Sequence, residues 1–168
     1  LKMLDGKTVK TAAQWKAERR PELKNLFQHY MYGFFPAAAK VTAKPGKTFN
    51  DALGGKAVMK EIALNLGKPG APVINVLLLT PKTAKARVPV VLGINFCGNH
   101  SVSPDPRISL AKGWLPNSCT GVRENAATED ARGKGIDSQW DIASAIDRGY
   151  AVVTFYHGDL APDKPGKT

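Results

Sequence analysis

Covalent catalysis needs a nucleophile, a base and donors for a developing negative charge, and this chain offers few candidates for them. Its densest stretch is Cys97-Gly98-Asn99-His100-Ser101, a thiol, an imidazole and a hydroxyl within five positions. His100 has the chemistry of a general base, but fixing its loop by a side-chain hydrogen bond is the expected role. Ser101, Ser103 and Ser118 are weak nucleophiles, because none stands on a strand-to-helix elbow and the chain has no G-x-S-x-G. Cys97 and Cys119 lie 22 positions apart. They are either a disulfide, if the protein is exported, or two small apolar residues. Asn99-His100-Ser101 is also a formal glycosylation sequon, which matters only in a eukaryotic secretory pathway. There is no G-x-G-x-x-G, no G-x-x-x-x-G-K-[ST] and no H-E-x-x-H, so the familiar phosphate cradles and the metalloprotease helix are ruled out. Two cysteines cannot make an all-cysteine zinc site. Neither a metal nor a cofactor is expected.

These residues need a scaffold, and 168 residues suffice for one domain with a real core. Apolar residues make up 43% and charged residues 23%, a globular composition. No apolar run approaches the roughly 18 residues of a membrane-crossing helix, and no membrane partner is expected. The net charge of +10 is uneven. Positions 1–87 hold 16 bases and 5 acids, and positions 88–168 hold 8 bases and 9 acids. A basic half suits an acidic polymer. Yet lysines 40, 44, 47, 56, 60 and 68 stand singly without an aromatic stacking platform, so nucleic acid is not an expected partner.

Thr11 and Gln14 read as a capping box opening a helix over Ala12–Arg19. Pro21 is expected to interrupt it and to start a second helix, whose apolar face is Leu23, Leu26, Phe27, Tyr30 and Met31, with Gly33 as the stop. Phe27, Tyr30, Tyr32, Phe34 and Phe35 read as the seam between helix and core. Positions 57–66 alternate as a strand, with Val58, Ile62, Leu64 and Leu66 on its apolar face. Gly67-Lys68-Pro69-Gly70 is a turn, and Val73–Thr80 is the antiparallel partner. Pro89–Phe96 and Tyr150–Tyr156 are nearly continuous in apolar residues, as in parallel strands buried on both faces. The helix between them spans Trp140–Arg148, entered at Asp137 or Ser138, closed by Gly149, with Ile142 and Ile146 facing inward. Together they form a βαβ unit.

Positions 97–136 form a long loop leaving the C-terminal end of a parallel strand, where α/β sheets bind ligands. A structural surface excursion is the alternative. The last strand, 150–156, is expected to leave an apolar edge that further polypeptide must cover.

An antiparallel hairpin followed by strand, long loop, helix and strand is how α/β-hydrolases open. Arg19-Arg20-Pro21-Glu22-Leu23, Tyr32-Gly33, the segment from Val90 to Ser101, Trp140-Asp141 and Thr154-Phe155-Tyr156-His157-Gly158-Asp159 with Pro162-Asp163 resemble the N-terminal half of bacterial glucuronoyl esterases, carbohydrate esterase family 15. The resemblance implies that 1–168 is the N-terminal portion of a single α/β-hydrolase domain. Within it, 1–36 is a helical segment, and 37–168 carries the first strands, the loop 97–136 and the crossover helix. It implies a secreted or periplasmic serine ester hydrolase acting on glucuronic acid esters of xylan and lignin.

That family's nucleophile lies in G-x-S-R-x-G-K after the next strand, and its His and acid come later, so no catalytic triad residue is placed in this chain. A complementary C-terminal polypeptide is the expected partner, and the 168 residues alone are expected to be inactive. Gly98, Asn99, His100 and Ser101 are then expected to form the oxyanion loop or line the pocket, with Tyr156, His157 and Asp159 at its rim. Asp159 alone reads as a turn-fixing carboxylate. Two other readings remain: a non-catalytic module for acidic polysaccharide, and an acetyl xylan esterase-like hydrolase.

Overall fold

The computed structural model describes residues 1–35, 37–67, 70–135 and 140–166. The chain forms two compact units, Leu1–Ala38 and Ala39–Thr168.

In the first unit, Thr11 caps the helix as expected, its Oγ1 accepting from the Gln14 N–H at 3.1 Å. Pro21 does not break the helical run. α1 (Ala12–Gln14) passes through a π-helical stretch, Trp15–Arg19, into α2 (Arg20–Phe27), and a second π-helical stretch, Gln28–Tyr32, ends at Gly33. Proline has no N–H and its ring crowds the carbonyl four residues back. The π turn just before it widens the spacing, with the Arg20 N–H reaching the Trp15 carbonyl, and the run continues. The aromatic seam is not a seam within this unit. Phe27, Tyr30, Tyr32 and Phe34 are exposed and Phe35 is 87% exposed. A 38-residue unit is too small to enclose five large side chains.

The second unit is built on one mixed sheet of five strands: β1 (Thr42–Asp51), β2 (Ala57–Asn65), β3 (Val73–Pro81), β4 (Val90–Asn95) and β5 (Ala151–Tyr156). Their order is β1-β2-β3-β5-β4. The first three strands and β5 pair antiparallel, whereas β4 and β5 run parallel, Val91 opposite Val152 and Asn95 opposite Tyr156. The β2–β3 hairpin and the β4–β5 parallel pair match expectation; of the turn between β2 and β3, Lys68 and Pro69 lie outside the described residues. β1 was not expected. It follows a short exposed segment and turns into β2 through a one-turn helix, α3 (Ala52–Gly55). Its sequence of Lys, Pro, Gly and Thr carries little strand signal.

Two expectations about edges and faces are corrected. The strand 150–156 has no open edge, because β3 takes one side of it and β4 the other. The open apolar edge belongs to β4. There Val90, Val91 and Ile94 are exposed and Leu92 is 65% exposed, so β4 is not buried on both faces within this chain. In β2 the inward face is that of Ala57 and Met59, not that of Val58. These two pack with Leu77, Leu79, Val152, Ile142 and Ile146 into the main core.

The crossover helix α4 spans Ile142–Asp147 and is capped by Asp141, whose carboxylate accepts from the Ser144 N–H at 3.2 Å. The expected entry points Asp137 and Ser138 lie outside the described residues. Ile142 and Ile146 are its buried pair and Gly149 ends it with φ of 82°, as expected. Fully burying each isoleucine is worth about 1.5–3 kcal/mol. Among the described residues, no helix is long and apolar enough to cross a membrane.

Candidate functional site

β4 delivers the Cys97–Ser101 stretch to the end of the sheet. At its last position the buried Asn95 donates from Nδ2 to Thr154 Oγ1 of β5 at 3.0 Å and to Asn99 Oδ1 of the loop at 2.7 Å. Asn99 Nδ2 in turn donates to the Asn75 carbonyl of β3 at 2.6 Å. Asn75 gives its backbone N–H and its Nδ2 to Asp159 Oδ2, at 2.7 and 3.1 Å. A relay of amides thus joins the loop after β4, the strands β5 and β3, and the turn after β5. Asp159 thereby ties the turn after β5 to β3, and its burial pushes its carboxyl above the usual value.

The loop turns at Gly98, whose φ of 88° is open to glycine and strained for other residues. A Cβ there would lie 2.7 Å from the His100 ring and 3.0 Å from Ala111 Cβ. His100 is fully buried, and neither ring nitrogen has a hydrogen-bond partner among the described residues, so the loop-fixing bond expected of its side chain is not made. Its backbone carbonyl does bind the loop, accepting from Gly133 N–H at 3.2 Å. Burial and, secondarily, the positive charge of Arg132 push the imidazole below its ordinary value, which favours the neutral ring.

Ser101 Oγ donates to the Gly98 carbonyl at 2.7 Å rather than to His100. The structure therefore does not assemble a Ser–His pair from these neighbours. The Ser103 Oγ accepts from the Asp105 N–H, also within the loop.

The long loop is ordered by its own small core. Cys97 and Cys119 form a disulfide, with Cα atoms 5.7 Å apart, and pack with Leu115, Val122 and Tyr156. Tyr156 is buried and donates from its hydroxyl to the Trp114 carbonyl at 2.8 Å. His157 is half-buried, its ring 5.1 Å from Phe96 and 4.9 Å from Tyr156 between centroids.

Of the site residues read from sequence, Asn99, Tyr156 and Asp159 share a cleft of about 400 Å³, together with Asn75, Glu61 and the lysines 44, 47 and 112. Gly98, His100 and Ser101 are buried and do not line it. Asn75, Asn95 and Thr154 were missed. The signal available was a polar residue within or at the end of each of three largely apolar strands, Val-Ile-Asn-Val, Gly-Ile-Asn and Val-Val-Thr-Phe. Among the described residues no cluster of His, Cys, Asp or Glu could hold a metal.

No protein-family model matches the chain. A curated relative, Carbohydrate esterase MZ0003 from an unknown prokaryotic organism, is 41% identical over 165 residues, 97% of this chain and 38% of that protein. Among solved structures, a promiscuous CE15 esterase from a marine bacterial metagenome matches with a TM-score of 0.87 at 40% identity, covering 100% of this chain and 42% of that one. A glucuronoyl esterase from Solibacter usitatus matches with a TM-score of 0.84 at 32% identity, covering 100% of this chain and 46% of that one. The chain thus spans less than half the length of each. Its mixed sheet is the opening part of an α/β-hydrolase fold, the antiparallel strands and the first parallel pair.

Proposed function

We propose that the chain is the N-terminal portion of a single α/β-hydrolase domain of carbohydrate esterase family 15 that hydrolyses glucuronic acid esters of xylan and lignin, a reading supported by its likeness to the esterases above. The serine nucleophile comes from polypeptide outside these 168 residues, which pairs with β4. The observation that carries this reading is the conjunction at the end of β4: an uncovered apolar edge beside a glycine-turned loop. The C-terminal ends of parallel strands are where α/β enzymes put their chemistry. A strand added along β4 would set its own C-terminal turn beside Gly98 and Asn99.

In this arrangement backbone N–H groups of the loop stand near the developing oxyanion, a role worth about 3–4 kcal/mol per donor. Asn99, Tyr156 and Asp159 line the approach, with His157 beside them. No group of this chain serves as nucleophile, which agrees with the engagement of Ser101 Oγ by Gly98. The Cys97–Cys119 disulfide supports a secreted or periplasmic location, since disulfides persist in oxidising compartments.

The test is to co-express the chain with the family's complementary polypeptide and assay a glucuronate methyl ester and an acetylated xylan. Activity on the uronate ester that needs both polypeptides is expected. Preference for the acetyl ester would move the reading to an acetyl xylan esterase. Activity of the chain alone, lost on Ser101→Ala, would place the nucleophile here and overturn the proposal. A stable inactive complex that binds glucuronoxylan would favour a binding module.

A further inference from the structure

The amide relay also bears on catalysis, given the esterase reading above. The backbone hydrogen bonds of positions 98–102 run to other loop residues: Ser101 N–H to the Gly98 carbonyl, Val102 N–H to that of Asn99, and Gly133 and Gly135 N–H to those of His100 and Ser101. The disulfide likewise joins Cys97 to a residue of the same loop. Among the described residues, the hydrogen bonds that tie this stretch to the sheet are those of the side chains of Asn95 and Asn99.

Asn95 is the inner link. It is buried at the end of β4, and its single NH2 group is shared between a strand and the loop. An apolar side chain of the same size would bury as well there, but it would not set the angle at which the loop leaves the sheet. Directional bonds in a buried place do. We propose that Asn95 is a positioning residue for ester hydrolysis, holding the Gly98–Asn99 backbone at a fixed orientation to the sheet through Asn99 and Thr154.

The test uses the enzyme assembled from this chain and its complementary polypeptide. Asn95→Leu keeps the volume and removes both donors. A folded N95L enzyme is expected to lose about tenfold in kcat on a small uronate ester with KM nearly unchanged, because misplaced donors are felt in the transition state. An unchanged kcat, or a loss confined to KM, would overturn the proposal. If N95L does not fold, Thr154→Val decides. It removes one of the two acceptors and leaves the Asn95 amide free to turn, so a fall of about threefold in kcat is expected, and no fall counts against the role.

A parent assembly without esterase activity would instead defeat the functional reading. The positioning is then read on the chain itself, from hydrogen exchange at the Asn99 and His100 amides. Faster exchange in N95L or T154V, with Val152 and Val153 still protected, supports it, and unchanged exchange refutes it.

Discussion

Trp140 sits against Gly93 so closely that a Cβ on the glycine would come within 2.5 Å of the indole Cη2. The contact joins the residue two positions ahead of α4 to the middle of β4. It explains a glycine inside an otherwise apolar strand, where the missing side chain normally weakens pairing.

Gly93→Val is therefore expected to destabilise the chain by about 1–3 kcal/mol through overpacking. Urea unfolding followed by tryptophan fluorescence measures it. A β-branched residue is otherwise favourable in a strand, so a neutral or stabilising result would mean that Trp140 moves aside at no cost.

Stability should fall as pH drops below about 6.5 because of His100. Its folded value is depressed, chiefly by burial, so between the ordinary histidine value and the folded one the unfolded chain binds more protons. Lowering the pH through that window favours unfolding. Asp159 works the other way at lower pH, since its raised value makes the folded state the better proton binder above the ordinary aspartate range. Denaturation midpoints from pH 7.5 to 5 should show the decline, and His100→Gln should flatten it. A slope surviving in H100Q would assign it to other groups.

Reducing the disulfide, or replacing both cysteines by alanine, should cost about 3 kcal/mol, the usual size for a closed loop of this length. The loss should appear first near Tyr156, whose hydroxyl anchors Trp114 across the same loop. Thermal melts with and without reductant, together with exchange at the Leu115 amide, would test this. Equal melting temperatures would show that the loop core holds without the bridge.

A lysine at Ile94, on the exposed edge of β4, should reduce self-association of the isolated chain while leaving its melting temperature nearly unchanged. Light scattering across a concentration series is the measurement. Identical behaviour of I94K and parent would mean that β4 is not the adhesive edge.

The parts of the fold legible in sequence were those with a strong local signal. The cap at Thr11, the Ile142–Ile146 face of α4, the stop at Gly149 and the apolar run of β5 follow from neighbours a few positions apart. Strand order did not. Whether β5 enters between β3 and β4 is decided by pairing across more than 70 positions, and an apolar strand fits equally well at the centre or the edge. β1 escaped because its residues are those of a loop and its strand character comes from β2 alone. At the site, the loop after β4 was legible from its length and position. The residues that hold it were not, since an asparagine in a strand announces a hydrogen bond without naming its partner. Gly98 now carries a double constraint, positive φ and the His100 ring, so a β-branched substitution there would disturb folding along with any effect on kcat.

The two borders of the sheet are unlike, and this limits how the molecule can assemble. Along β1 the pairing with β2 shifts register between Pro45 and Thr48, a proline withholds its donor, and the exposed Lys44 and Lys47 add charge. Such a border refuses another strand. β4 has none of these guards. In the chain by itself the sheet thus has one adhesive border, the one proposed above to pair with the complementary polypeptide. Two copies joining through strand edges can meet only β4 to β4, related by a two-fold axis and hence antiparallel, and the resulting ten-stranded sheet ends in a guarded border on both sides. Edge-to-edge association stops at the pair, and no ribbon can grow from it.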